Sequence, residues 1–426
     1  MAREHPVDDL LRPRPVRRRL RNRRQVDGLI SVVVPVFDVA TYVGQAIASV
    51  LDQEGVELEV LVVDDGSTDG TLDVVRRISR ADPRVRLLRQ KHAGPNAARN
   101  LALASARGEF LAFLDGDDLL LPGAYRDLMT SLATSGSDFA IGGYHRFNED
   151  DARPAGRWIV ALHAEQHQAV DVVTVPDAMV NVVAWSKLYR RSFWDEHVRS
   201  FAVGGFYQDQ LVAARSYALA TSFDVLDREV VAWRSRDDGS SMTQQLGDVA
   251  NMRDRFRTGR EGVRIYEALR GQGVAGERLV QLLNFDIWHT VKTVDRRSPE
   301  YFSALVEQLR ALVDDVRDPD LWDLVGVSQK VLYQLVVAGR RADALEFLET
   351  GGQLFVDKKW SVEDEKVMVH LPFWEDPDLP RWAFRAKPAQ AVALRRRRGR
   401  AVRAARARAA AAAAAEAEEA SESTQA

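Results

Sequence analysis

Cysteine is absent from the 426 residues, so the chain has no disulfide, no thiolate metal site and no thiol nucleophile. No apolar run approaches the ~18–20 residues of a transmembrane helix. The arginine-rich start lacks the apolar core of a secretion signal. These absences make a cytoplasmic protein the expectation. Neither a Gly-x-Gly-x-x-Gly turn nor a Walker-type loop follows any of the strand-like segments, which removes the usual dinucleotide and NTPase readings. Net positive charge is confined to the ends. Residues 1–28 carry net +5 and residues 389–426 net +4, which leaves the middle at −12 in a chain of formal net charge −3. An acidic middle argues against a nucleic-acid groove in the folded part, and no nucleic-acid partner is expected.

What is present is an ordinary globular composition, 46% hydrophobic and 28% charged, at a length that favours two or three domains. Residues 1–28 mix proline with like charge and read as a disordered basic tail. Folding is expected from Leu29, in Leu29-Ile30-Ser31-Val32-Val33-Val34-Pro35, a β-branched run that proline should end. A helix-period segment from Thr41 to Gln53 follows. Strand and helix then alternate: strands at 58–63, 85–88 and 110–114, helices at 70–80 and 97–106. Alternation of this kind predicts an α/β domain with a mostly parallel, doubly wound sheet.

The chemistry gathers at the strand ends. Phe110-Leu111-Ala112-Phe113-Leu114 reads as a strand buried on both faces, and Asp115-Gly116-Asp117-Asp118 follows at once. Carboxylates at the C-terminal end of a parallel strand stand where open α/β sheets bind ligands. Crowded in this way they repel one another, and a hard divalent cation such as Mg²⁺ or Mn²⁺ relieves that repulsion. The other reading is a solvated turn in which Asp118 caps the helix after Pro122. Beyond about residue 137 the pattern changes. A strand is expected at 138–144, polar loops to about 175, a helix at 211–219, and one or two strands within 224–233. Helical periodicity dominates after 250, giving expected boundaries of 29–245 for the α/β domain, 246–388 for a helical domain and 389–426 for an Arg/Ala-rich tail.

Four segments taken together resemble the family 2 inverting nucleotide-sugar glycosyltransferases, which have the GT-A fold. They are Val32-Val33-Val34-Pro35-Val36-Phe37; Val62-Val63-Asp64-Asp65-Gly66-Ser67-Thr68-Asp69; His92-Ala93-Gly94-Pro95-Asn96-Ala97-Ala98-Arg99-Asn100; and Phe113-Leu114-Asp115-Gly116-Asp117-Asp118. The resemblance spans roughly residues 29–245. Within it, a subgroup of cell-surface polymer (teichoic-acid-type) transferases is similar to Trp185-Ser186-Lys187-Leu188-Tyr189-Arg190-Arg191 followed by Tyr207-Gln208-Asp209-Gln210. Gln208 departs from the glutamate usual there.

The resemblance implies a GT-A nucleotide-diphospho-sugar transferase domain followed by a helical domain. The implied activity is metal-dependent, inverting transfer of a hexosyl or N-acetylhexosaminyl unit from a nucleotide-diphosphate donor, expected to be UDP-linked. Pro35, Val36, Phe37, Asp64, Asp65, Gly94, Arg99, Asp115, Arg236 and Ser240 would contact the nucleotide sugar. A uracil N3–H suits a carboxylate acceptor such as Asp65, in a bond worth ~1.5–3 kcal/mol; Asp64 either holds the turn or reaches the ribose. Asp117, with Asp115, would ligate Mn²⁺ or Mg²⁺ between the donor phosphates. Arg99 either approaches ribose or phosphate or forms a surface salt bridge. Asp209 would be the general base, against the alternative of a helix N-cap. Arg236 with Ser240, Ser241 and Thr243 either closes over the diphosphate or makes a polar hairpin. The acceptor would be a glycan or polyol-phosphate polymer, with the basic ends docking peripherally on an anionic membrane face or simply solvated. Two other readings remain. A sugar nucleotidyltransferase would need a basic, Gly-rich loop where Pro35-Val36-Phe37-Asp38 stands, and a non-catalytic scaffold would not need Asp65, Asp115, Asp117 and Asp209 together.

Overall fold

The computed structural model describes residues 25–148, 150–236, 247–354 and 359–394. The expected tail residues 1–24 and 395–426, and Ser240, Ser241 and Thr243, lie outside them. The chain divides into two compact units, the first ending at Leu282 and the second starting at Leu283.

In the first unit the alternation seen in the sequence becomes β1 (Val26–Val36), α1 (Val43–Leu51), β2 (Glu57–Asp64), α2 (Thr71–Ala81), β3 (Val85–Arg89), α3 (Pro95–Leu103) and β4 (Gly108–Phe113). The order β3-β2-β1-β4 is parallel throughout. Ile30, Val32, Val33 and Val34 are fully buried, as the unbroken apolar run requires of a strand covered on both faces. β1 starts three residues before Leu29 and does not stop at Pro35, which pairs with Val63. Proline is tolerated here because successive residues of a parallel strand turn their backbone groups to alternate neighbours. The Val33 carbonyl accepts from the Leu114 N–H, so the Pro35 nitrogen faces the same side, where β4 has ended at Phe113.

Beyond β4 come β5 (Leu119–Leu120), α4 (Ala124–Ser135), β6 (Phe139–Phe147), β7 (Ala152–Pro154), α5 (Arg157–Leu162), β8 (His167–Val170), β9 (Lys187–Arg190), α6 (Asp209–Leu219) and β10 (Phe223–Arg234). The stretch expected to be polar loop up to 175 therefore holds β7, α5 and β8. β9 runs antiparallel between β4 and β6, and β10 pairs parallel with β6. The result is a mixed α/β sheet of mainly parallel strands. Then α7 (Val249–Arg270) and α8 (Gln272–Gln281) complete the first unit. The expected boundary at 245 would have given α7 to the helical domain. Its side chains instead bind back within the first unit, Arg270 donating to the carbonyls of Ala218 and Ala220 at 2.7 Å.

The N-terminal ends of the parallel strands are closed by a buried carboxylate. Glu59, 2% exposed, accepts from the Ser31 hydroxyl at 2.7 Å, the Arg107 N–H at 2.7 Å and the Arg86 guanidinium at 2.9 Å. Burial works to raise its pKa, but these donors outweigh it and hold the carboxyl below its ordinary value.

The second unit contains α9 (Ile287–Val291), α10 (Pro299–Asp314), α11 (Val327–Val337), α12 (Arg341–Glu349) and a hairpin of β11 (Trp360–Glu363) and β12 (Lys366–Val369). Ser298 caps α10 with its hydroxyl, and proline occupies the first helical position. Leu305, Leu309, Leu312, Val331, Leu335 and Val336 form its core. The region is helical, as its periodicity indicates.

Candidate active site

A cleft of about 510 Å³ opens at the C-terminal ends of β1, β2 and β4. It is lined by Pro35, Val36 and Phe37 from β1, Asp65 after β2, Arg99 on α3, Asp115 and Asp117 after β4, Asp209 at the start of α6 and Arg236 after β10. Nine of the sequence-selected residues are thus brought to one place from six separate elements of the sheet and its helices. Asp64 and Gly94 are not in the lining, and Ser240 lies outside the described residues.

Asp65 is 2% exposed and already well occupied. Its Oδ1 accepts from the Gln90 side chain at 2.7 Å and the Ala93 N–H at 2.8 Å, and its Oδ2 from the Gly94 N–H at 2.9 Å. His92 Nδ1 stands 3.0 Å from Oδ2. The carboxylate therefore ties the 90–94 loop to the end of β2. Gly94, at φ +89°, is the turn residue before Pro95 opens α3. Asp64 is fully buried and accepts the Ser67 N–H, so it shapes the turn. Phe37 and His92 meet at 4.3 Å between ring centroids at the cleft wall, and Phe37 keeps 41% of its surface exposed.

On the other side, Arg99 is a buried residue, 9% exposed. It donates to Asn96 Oδ1 at 2.9 Å and pairs with Asp115, so its salt bridge belongs to the cleft and not to the outer surface. Its Nε has no hydrogen-bond partner among the described residues. Arg236 Nε donates to Asp117 Oδ2 at 2.7 Å. Burial raises the Asp117 pKa; Arg236 opposes that and the Asp115 charge adds to it. Asp118 does not cap the helix after Pro122, because Gly123 holds the cap position of α4. It is 1% exposed, and its Oδ1 accepts the Arg234 N–H at 2.8 Å. Its Oδ2 has no partner among the described residues. Burial, then Asp117 and Asp115, push its pKa well above the ordinary value.

These observations bear on a metal. Among the described residues no group of three or more His, Asp or Glu could hold an ion, and Asp115 and Asp117 are the carboxylates that the end of β4 brings to the cleft. A set of one or two carboxylates fits Mg²⁺ or Mn²⁺, which keep waters and take substrate phosphates as further ligands. The carboxylate repulsion that adds to burial in raising Asp117 and Asp118 is what a cation would relieve.

Asp209 is half-buried and is the first helical residue of α6, with Gln208 at the cap position. It is not the cap residue, and its Oδ1 accepts the neighbouring Gln210 N–H at 3.1 Å. Burial raises its pKa, Arg99 pulls it down and Asp115 pushes it up, with a net upward shift. Several residues of the site were missed in the sequence. Arg234 donates to the Asp117 carbonyl at 2.7 Å and to Gln45 at 2.8 Å, pinning the acidic turn to β10. Lys187 is fully buried, its ammonium donating to Asn181 O, Asn181 Oδ1 and Val183 O, which fixes the turn presenting Val183 and Trp185 to the cleft. Lys187 stands in the subgroup-like segment Trp185-Ser186-Lys187-Leu188-Tyr189-Arg190-Arg191, but local sequence assigns it no role. Trp233 also lines the cleft, its face covered by Arg146 at 4.0 Å.

The comparisons with known proteins bear on the family and the fold. The model of "Glycosyl transferase family 2" matches residues 31–198. The putative glycosyltransferase EpsH of Bacillus subtilis is 29% identical over 208 residues, which are 48% of this chain and 60% of that protein. The glycosyltransferase GlyA of Streptococcus pneumoniae is 27% identical over 222 residues, 50% of this chain and 31% of that one. The chain thus spans 60% of one relative and under a third of the other. The crystal structure of S. aureus TarS 1–349 in complex with UDP-GlcNAc superposes with a TM-score of 0.63 at 20% identity, covering 80% of this chain and 96% of that one. At that identity the likeness speaks for the fold. Residues 31–198 of this chain form a Glycosyl transferase family 2 domain, carried in a GT-A-like mixed α/β sheet.

Proposed function

We propose that the chain is a metal-dependent, inverting glycosyltransferase that moves a sugar from a nucleotide-diphosphate donor, UDP-linked, to a hydroxyl of a polymeric acceptor. The observation that carries this reading is the placement of Asp209. A carboxylate with a raised pKa opens onto the same cleft as the strand-end carboxylates and two arginines. In the reaction the acceptor hydroxyl gives its proton to the Asp209 carboxylate while its oxygen attacks the anomeric carbon. The bond from that carbon to the diphosphate oxygen breaks on the opposite face, so configuration inverts. Raised basicity helps, because general-base efficiency follows the pKa of the base.

Asp115 and Asp117 would hold Mg²⁺ or Mn²⁺, which when bound supplies neutralisation of the diphosphate leaving group. Arg99 and Arg236 stand beside those carboxylates, placed to offer their guanidinium donors to ribose or phosphate oxygens. Phe37 offers an apolar face to the base, and Asp65 holds the loop beside it. The UDP-GlcNAc named with the TarS structure makes that sugar the first donor to try. A polyol-phosphate or glycan polymer is the acceptor class proposed. Among the described residues no helix is long and apolar enough to cross a membrane; peripheral docking through the basic ends is part of the proposal.

The test incubates the chain with Mn²⁺ and a panel of nucleotide sugars, UDP-GlcNAc included, and measures released nucleotide diphosphate. Turnover of one donor, lost in Asp209→Asn, is expected. Equal turnover by the Asn variant, or no turnover of any donor, overturns the reading.

A further inference from the structure

The loop before Asp209 is unusual in its backbone. Gly204, Gly205 and Tyr207 all have positive φ, at +87°, +73° and +58°, and Tyr207 is not a glycine. A loop in such a conformation holds its shape only when its surroundings fix it. One tie is internal: Gln208 Nε2 donates to the Gly204 carbonyl at 3.0 Å. The others come from α7, which begins 40 residues later in the chain. Asp254 Oδ2 accepts the Phe206 N–H at 2.8 Å, and its Oδ1 is held by Arg257 Nε at 3.0 Å. The Tyr207 hydroxyl donates to Asn251 Oδ1 at 2.7 Å and accepts from Arg255 at 2.6 Å. The Arg255 guanidinium also lies over the Tyr207 ring at 4.4 Å. At Gly205 any side chain would collide with the Asp254 carboxylate, so the approach of helix to loop depends on that glycine.

We infer that the first two turns of α7 are the positioning element of the active site, with Asp254, Asn251 and Arg255 holding the 204–208 loop so that Asp209 faces the cleft. The inference rests on Asp209 being the base, and it adds to that reading three residues beyond the family match, which ends at 198. None of the three lines the cleft. They act through the loop: its ties keep Asp209 half out of water, and that desolvation is the main cause of its raised pKa. Gln208 suits this role better than a glutamate, since an amide N–H can tie the Gly204 carbonyl and an ionised carboxylate cannot.

The test uses the full chain with Mn²⁺ and UDP-GlcNAc, with water as the acceptor, and follows UDP release across pH. Asp254→Ala removes the acceptor of the Phe206 N–H, whereas Asp254→Asn keeps an oxygen there. For Asp254→Ala we expect kcat lower by about 10–100-fold, donor KM within about twofold of the parent, and an acid limb moved to lower pH as Asp209 becomes hydrated. Asp254→Asn should restore most of the loss, and Tyr207→Phe should shift kcat and the limb in the same direction by a smaller amount. Amide exchange at Phe206 should rise in Asp254→Ala and stay slow in Asp254→Asn. A parent-like kcat and pH profile in Asp254→Ala, or equal losses in the Ala and Asn variants, overturns the inference. Asp209→Asn run alongside separates the two ideas. If it turns over normally the base assignment fails; if it is inactive while Asp254→Ala resembles the parent, only the positioning role fails.

Discussion

The two ends of the parallel strands treat their carboxylates in opposite ways. At the N-terminal end Glu59 is surrounded by the Ser31 hydroxyl, the Arg107 N–H and two guanidinium groups, and its pKa is lowered in spite of burial. At the C-terminal end Asp118 is buried and Asp117 and Asp209 half-buried, all with fewer donors, and their pKa values rise. One sheet thus carries a satisfied carboxylate that stabilises the fold and a set of under-satisfied ones that cost stability. The difference teaches where to look for function: buried acids whose charge the protein does not itself neutralise are those left for a ligand, a cation or a proton.

The comparison can be broken most severely from the cleft end. Excess chelator should reduce nucleotide-sugar turnover to background, and Mn²⁺ or Mg²⁺ should restore it. Asp117→Ala should do the same while melting at or above the parent temperature, because a repelled carboxylate has gone. Full activity in chelator contradicts the cation's role. Next in size, Asp209→Asn should lower turnover by at least ~100-fold. Donor affinity should be unchanged and the melting temperature equal to or slightly above the parent's, since Asn keeps an oxygen for the Gln210 N–H and the desolvated charge has gone; a large drop in melting temperature would show a structural role instead.

At the other end the effect is on stability. Glu59→Gln keeps the size but removes the charge that Arg86 and Arg107 meet, and should cost about 2 kcal/mol in denaturant unfolding. Turnover per folded molecule should hardly change. The smallest effect is in pH. Glu59, with its folded pKa below the unfolded one, contributes stability above the unfolded pKa and loses it as pH falls through the folded pKa. Asp209, with its folded pKa raised, has the reverse sign: between the unfolded and folded values the native state binds the extra proton, so stability falls as pH rises through that window. Glu59→Gln should therefore flatten the acid-side loss of stability, and Asp209→Asn should remove a small loss on going upward from the ordinary carboxylate range. Unfolding curves collected from pH 3 to 7 would show an unchanged acid side in Glu59→Gln if its cluster contributes nothing.

Much of the parallel half was legible. Val32-Val33-Val34, Leu61-Val62-Val63 and Leu111-Ala112-Phe113 are continuous apolar runs, and such runs bounded by turns identify buried strands without knowledge of their neighbours. The acidic turns after β2 and β4 then fall where parallel strands present ligands. The antiparallel half was less legible, because β9 takes its place between β4 and β6 through register, and four residues give no periodicity that reveals a partner. The alternative of Asp118 as a helix cap could not be settled locally, because its actual donor, the Arg234 N–H, lies 116 residues away. Pro35 was expected to end β1, yet it stays in the strand because β4 departs first. That depends on the length of another strand.

The sequence by itself determined the element types, the fold class and the short acidic motifs, since apolar spacing, turn residues and clustered carboxylates are local properties of the chain. Tertiary structure decided what those carboxylates experience. Whether an acid is neutralised like Glu59 or left under-satisfied like Asp209 depends on donors from β1, β3, the turn before β4, α3 and β10 that no sequence spacing brings together. The same holds for α7, which local periodicity assigns to the helical region. Hydrogen bonds between Asn251, Asp254 and Arg255 and the 204–208 loop make it part of the active-site unit.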